Sequence, residues 1–193
     1  MSPIPALAHG PPEAPPPWRL GRSVVLVGLM GAGKTSIGRR LAKTLAAPFV
    51  DADEEIVAAA GLTIPDIFAL YGEARFRELE RRVVARLLDS DAVVLALGGG
   101  AFIDPETRAR VTQRAVSVWL RADLDTLLAR TARKRGTRPL LDQGEPREVL
   151  AGLMERRYPI YAEADFTVDS QTEPHESVVE RILAMVVAAA RRR

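Results

Sequence analysis

The chain has 193 residues, 47% hydrophobic and 27% charged, with a formal net charge of +2 and no cysteine. That length and apolar content suit one globular domain with a full core, and so small an excess of base gives no ground for a nucleic-acid partner. The lack of cysteine excludes a disulfide framework, a thiolate nucleophile and cysteine-ligated metal, and is consistent with a cytoplasmic location.

Residues 1–21, "MSPIPALAHGPPEAPPPWRLG", are crowded with proline, which removes amide donors and fixes φ. They are expected to be a disordered extension, followed by a domain over 22–193. The extension lacks the apolar centre of a secretory signal, and no apolar run reaches the roughly 20 residues that span a bilayer, so no membrane partner is expected. "SVVLVG" (23–28) reads as a first buried strand, and Ile37, Leu41 and Leu45 then recur at helical spacing. "APFVD" (47–51) reads as the second strand. In "GLTIPDIFALYG", Thr63 and Asp66 form a capping-box pattern, with Gly61 closing the helix before it and Gly72 the helix after it. Phe76, Leu79, Val83 and Leu87 mark a further helix. "AVVLALGG" (92–99), "AVSVWL" (115–120) and "DFTVD" (165–169) supply three more strands, and an amphipathic helix runs from about Glu176 to Ala190. Strands alternating with helices predict a parallel sheet covered on both faces. Residues 131–147, "TARKRGTRPLLDQGEPR", interrupt the pattern as either a plain surface loop or a mobile lid.

Gly28, Gly33, Lys34 and Thr35 satisfy G-x-x-x-x-G-K-[ST] between a strand and a helix, the context that gives the motif its meaning. Glycines let successive amides point inward, and the helix adds its positive end, so this turn is built for a nucleoside triphosphate with Mg²⁺. Lys34 would reach the β- and γ-phosphates, and the Thr35 hydroxyl the metal. The Asn/Thr-Lys-x-Asp loop of guanine-specific GTPases does not occur. Asp51 and Asp53, two residues apart at a strand end, either serve metal and acceptor hydroxyl or cap the helix that follows. Arg77 stands four residues after Glu73 and three before Glu80, a spacing that also makes an ordinary ion pair. Gly98, Gly99 and Gly100 are either a flexible strand exit or a turn whose backbone a ligand touches.

Taken together, "GLMGAGKTSIGR", "DAD", "FR" at Phe76 and Arg77, "LGGGA", "RPLL" (138–141) and "RRYPIY" (156–161) make residues 22–190 closely resemble the shikimate kinase family. The resemblance implies ATP-dependent phosphorylation of the 3-hydroxyl of shikimate by a monomer. It also implies a fold of the nucleoside monophosphate kinase type: a three-layer α/β structure whose five parallel strands run in the order 2-3-1-4-5, with a helical substrate segment near 54–85 and a lid near 131–147. By the same resemblance Gly31, Ala32, Gly33, Lys34, Thr35 and Ser36 hold the phosphates, Asp51 holds Mg²⁺ through water, and Asp53 binds the shikimate hydroxyls and assists attack. Arg77 and Arg157 would bind the carboxylate, and a guanidinium fork suits that planar anion. Gly99, flanked by Gly98 and Gly100, would offer backbone contact; Phe68 and Phe76 would wall the ring. Arg138 corresponds to the lid arginine over the phosphates, Leu140 to a lid residue closing on substrate, and Arg130 to the arginine packed on adenine. The rivals are another small-molecule P-loop kinase, such as one acting on gluconate, and an idle nucleotide-binding relative. The combination of Asp53, Arg77, Gly99 and Arg157 speaks against the first, and the presence of Lys34, Asp53 and both arginines against the second.

Overall fold

The computed structural model describes residues 21–132, 144–170 and 173–191. The expected extension, apart from Gly21, and the centre of the expected lid, residues 133–143, lie outside them.

Strands β1 (Ser23–Val27), β2 (Phe49–Asp51), β3 (Val94–Ala96), β4 (Ala115–Arg121) and β5 (Phe166–Asp169) form one sheet in the order β2-β3-β1-β4-β5, as expected. Every pairing is parallel, with Leu26 of β1 facing Ala96 of β3 on one side and Val118 of β4 on the other. All five residues of β1 are buried. A parallel strand covered on both faces must be apolar throughout rather than alternating, and the unbroken "VVLV" is the result. Strand β3 is shorter than its apolar run, 92–99, because regular pairing ends where the chain turns into the glycine triplet. After β3 the ladder makes one more bond, Leu97 N–H to Leu26 O at 3.1 Å, before the glycine triplet leads into a short 3₁₀ turn, Ala101–Ile103.

Helix α1 (Lys34–Thr44) returns the chain from β1 to the edge strand β2. From β2 onward every crossover moves in the opposite direction, through α2 (Ala52–Ala60), α3 (Ile64–Leu88), α4 (Pro105–Arg114), α5 (Leu124–Ala132) and α6 (Pro146–Tyr161). Right-handed crossovers therefore place α1 on one face and the later helices on the other. The last helix, α7 (His175–Arg191), packs on α1. The expected caps are present: Thr63 accepts from Asp66 N–H at 3.3 Å, and Gly61 ends α2 at φ 65°. Gly72 closes a helix as expected: at φ 77°, ψ 171° it divides α3 into two helices that meet at a kink.

The main core runs along the sheet from Val24 and Leu26 to Val118, Leu120, Leu150 and Ile182. A second apolar cluster of Ile56, Ile67, Phe76 and Val83 lies within the α2–α3 pair. Thus the α2–α3 hairpin holds itself together while β2 and β3 fix its position. Among the described residues no single helix is long and apolar enough to cross a membrane.

Candidate active site

All the strands point the same way, so the residues that follow them collect at one edge. The strand order reverses at β1, between β3 and β4, which opens a crevice where open α/β sheets bind ligands.

The loop after β1 fills this crevice. Gly28 takes φ 143°, and a Cβ there would lie 2.7 Å from Leu120 O, so the loop can leave the sheet at this point only through glycine. Gly33, at φ 95°, is the N-cap of α1, and Lys34, Thr35 and Ser36 make its first turn. Gly31 and Ala32 complete the curl, closed by the Ala32 N–H to Leu29 O bond at 3.1 Å. Lys34 Nζ folds back over its own loop, donating to Gly28 O at 2.7 Å and Leu29 O at 3.1 Å. Its ammonium therefore lies across the turn whose amides and helix end attract phosphate.

Thr35 Oγ1 donates to Asp51 Oδ2 at 2.8 Å, which joins the loop to the end of β2. The other oxygen of Asp51 accepts from Asp53 N–H at 3.1 Å and caps α2. Of the two alternatives for this carboxylate, the helix cap is made by one oxygen, and the other oxygen bonds the hydroxyl of the phosphate loop's Thr35. Two hard oxygen donors beside a phosphate loop fit Mg²⁺, which completes its shell with phosphate oxygens and water.

Asp53 sits in the first turn of α2, against the glycine triplet. A Cβ on Gly98 would lie 2.7 Å from Asp53 Oδ1 and 2.9 Å from Glu80 Oε1; one on Gly100 would lie 2.4 Å from Arg77 Nη1. The triplet is thus a bare backbone surface on which acids and guanidinium close. Arg77 donates through Nη1 to Glu80 at 2.7 Å and through Nη2 to Glu73 at 3.1 Å. Burial pulls the Arg77 pKa down, but the Glu80 and Glu73 carboxylates outweigh it and the pKa is raised. Glu80 is only 3% exposed, and burial pushes its pKa up against the pull of Arg77. The ion-pair spacing around Arg77 was legible in the sequence. That one partner is exposed and the other buried beside Asp53 was not, because nothing in the i, i+3 pattern distinguishes Glu80 from Glu73.

Phe76 is buried, and its ring lies 4.6 Å from that of half-buried Phe68, with the Arg77 guanidinium 5.1 Å over Phe76. Arg157, near the end of α6, donates through Nη1 to Gly99 O at 2.8 Å. The Tyr161 hydroxyl donates to the same carbonyl oxygen. On the other flank, Arg130 of α5 donates to Ser170 O at 2.9 Å and Gly31 O at 3.3 Å, and Ser170 Oγ donates to Ala32 O at 2.8 Å. The buried Ser170 thereby ties the end of β5 to the phosphate loop. Sequence patterns gave Glu80 only as an ion-pair partner and missed Ser170 and Tyr161. The "Y" of "RRYPIY" was the one available signal among them. Arg138 and Leu140 lie outside the described residues.

A phosphate loop after the central β1, the order β2-β3-β1-β4-β5 and a helical pair facing the loop define the class: a P-loop kinase of the nucleoside monophosphate kinase type. The family model of shikimate kinase matches residues 30–187, and the chain belongs to that family. The shikimate kinase of Paramagnetospirillum magneticum is 60% identical over 165 residues, 86% of this chain and 84% of that protein. That of Bradyrhizobium diazoefficiens is 53% identical over 173 residues, 89% of this chain and 83% of the other. The solved structure of shikimate kinase from Acinetobacter baumannii in complex with shikimate is similar at a TM-score of 0.83 and 38% identity, covering 87% of this chain and 94% of that one.

Proposed function

We propose that the chain transfers the γ-phosphoryl group of ATP to the 3-hydroxyl of shikimate, giving ADP and shikimate 3-phosphate. The observation that carries this reading is the position of Gly99. A Cβ there would lie 3.5 Å from Arg157 Nη1, 3.7 Å from Gly28 O and 3.8 Å from Met30 N. The carboxylate-binding arginine and the phosphate loop therefore flank one glycine, so a small hydroxy acid held by the first is presented to the second.

The donor is ATP, as in the family. Gly31, Ala32, Gly33 and Ser36 cradle its phosphates, Lys34 supplies its ammonium to the β- and γ-phosphates, and Arg130 flanks the adenine. Thr35 and Asp51 would hold Mg²⁺, which when bound neutralises charge on the phosphates. Arg77 and Arg157 grip the acceptor carboxylate from α3 and α6, while Phe68 and Phe76 form the apolar wall of its pocket. Gly98, Gly99 and Gly100 let the acid approach the backbone, and Asp53 accepts the hydrogen bond of the attacking hydroxyl and aims it. Two anions must meet in this reaction, so the chain sets cations on both sides of the junction. Phosphoryl transfer asks little covalent chemistry of a protein, and alignment with charge neutralisation supplies the rate.

The test is a coupled ADP assay on the full chain with shikimate, gluconate and AMP as separate acceptors. ADP release that depends on shikimate is expected. Turnover on another acceptor with none on shikimate overturns the reading.

A further inference from the structure

Tyr161 is 1% exposed, and its ring packs 6.0 Å from that of Trp119 and 6.2 Å from that of Tyr158. An apolar residue would fill the same space. The hydroxyl is the part that needs a reason, because burying it costs free energy unless it is bonded. Its partner is the carbonyl of Gly99, inside the site, and that carbonyl also accepts from Arg157 Nη1 at 2.8 Å. The Arg157 charge beside the phenol pulls the Tyr161 pKa down, against burial. Tyr161 and Arg157 thus converge on Gly99 O, two donors on one carbonyl oxygen. Burial pushes the Tyr161 pKa up to about 12, which keeps the hydroxyl a donor at neutral pH.

Two consequences follow from the geometry. There are no cis peptides among the described residues, and in a trans peptide the N–H points opposite to the C=O. Pinning Gly99 O from the α6 side therefore turns the Gly100 N–H toward the opposite side. Arg157 offers five N–H donors in a planar fork, so tethering one end of it fixes where the rest of the fork lies.

We infer that Tyr161 is a positioning residue for the acceptor: its hydroxyl holds the Arg157 guanidinium and the Gly99–Gly100 peptide in the orientation that receives the substrate carboxylate. This rests on the proposed shikimate reading. Tyr158, three residues earlier on the same helix, supplies the internal control. It is also a half-buried phenol, but its hydroxyl donates to Ala122 O beyond β4 rather than to the triplet.

The experiment compares the full wild-type chain with Tyr161→Phe and Tyr158→Phe, measuring KM for shikimate and for ATP together with the thermal midpoint. Tyr161→Phe keeps the ring and removes the hydroxyl. Since the lost hydroxyl shares its carbonyl partner with the charged Arg157 fork, KM for shikimate is expected to rise about tenfold, with KM for ATP changing less than about twofold. Both variants are expected to lower the midpoint by similar amounts, and Tyr158→Phe to leave both KM values in place. In the double variant Tyr161→Phe, Arg157→Lys, the increase in shikimate KM is expected to be smaller than the product of the two single increases. Equal changes in both KM values, no change with Tyr161→Phe, or multiplicative single effects overturn the inference. A wild-type chain inactive on shikimate removes the functional reading and this inference together. An active wild type with an unaffected Tyr161→Phe removes only the inference.

Discussion

Thr35 and Asp51 meet at 2.8 Å, side chain to side chain, across the gap between the phosphate loop and the end of β2. Asp51 also caps α2, so replacing it by alanine would confound two losses. Asparagine caps as well as aspartate does and carries no charge. Asp51→Asn is therefore expected to leave the thermal midpoint nearly unchanged while moving the Mg²⁺ dependence of turnover about tenfold higher. An unchanged Mg²⁺ titration removes Asp51 from the metal side of the site.

Arg77→Lys replaces a fork by a point charge between Glu73, Glu80 and the proposed acceptor. One ammonium cannot serve the buried Glu80 and a substrate carboxylate with the same geometry. KM for shikimate is expected to rise at least about tenfold, with KM for ATP little affected. Equal rises in both, measured by varying each substrate at saturating levels of the other, would take Arg77 out of the acceptor pocket.

At Gly98 a methyl group would collide with two carboxylates, at 2.7 Å from Asp53 and 2.9 Å from Glu80. Gly98→Ala must push Asp53 off its position, and a displacement of about 1 Å in an aligned site costs on the order of 100-fold in rate. The expected result is a fall of that size in kcat with binding of a fluorescent ATP analogue preserved. Retention of kcat would show that Asp53 does not aim the hydroxyl.

Stability should carry a signature of Glu80. Burial raises its pKa above the ordinary 4.5, so between that value and the raised one the folded chain holds more protons than the unfolded chain. The contribution of Glu80 to stability is then present below pH 4.5 and declines as pH rises through the window. Glu80→Gln cannot titrate, so the unfolding free energy of the wild type minus that of the variant is expected to fall as pH increases, measured by urea denaturation. A difference that increases with pH would show the Arg77 pairing, and not burial, to dominate.

Much of the sheet was legible because burial on both faces demands unbroken apolar runs, such as "SVVLVG" and "AVSVWL". The phosphate loop was legible for a similar reason: its glycines and Lys34 are required by local backbone geometry. Arg77, Asp53 and Arg157 were candidates whose roles composition and spacing left open, since an arginine four residues from a glutamate looks the same on a solvated helix as in a pocket. What decided their placement is tertiary. Gly100 admits Arg77, Gly98 admits Asp53, and Gly99 O receives Arg157 from a helix more than fifty residues downstream. Tyr161 and Ser170 were beyond reach for the same reason: each acts on a backbone oxygen, Gly99 O or Ala32 O, and a carbonyl leaves no trace in a sequence.

The α2–α3 hairpin keeps its own small apolar nucleus of Ile56, Ile67, Phe76 and Val83, set apart from the residues that line the sheet. The interior of the hairpin can therefore be repacked without disturbing the sheet's own core, while Asp51 at its root keeps it tied to the phosphate loop. Modularity of this kind offers evolution, or an engineer, a subunit of the fold that can vary inside while its anchor stays fixed.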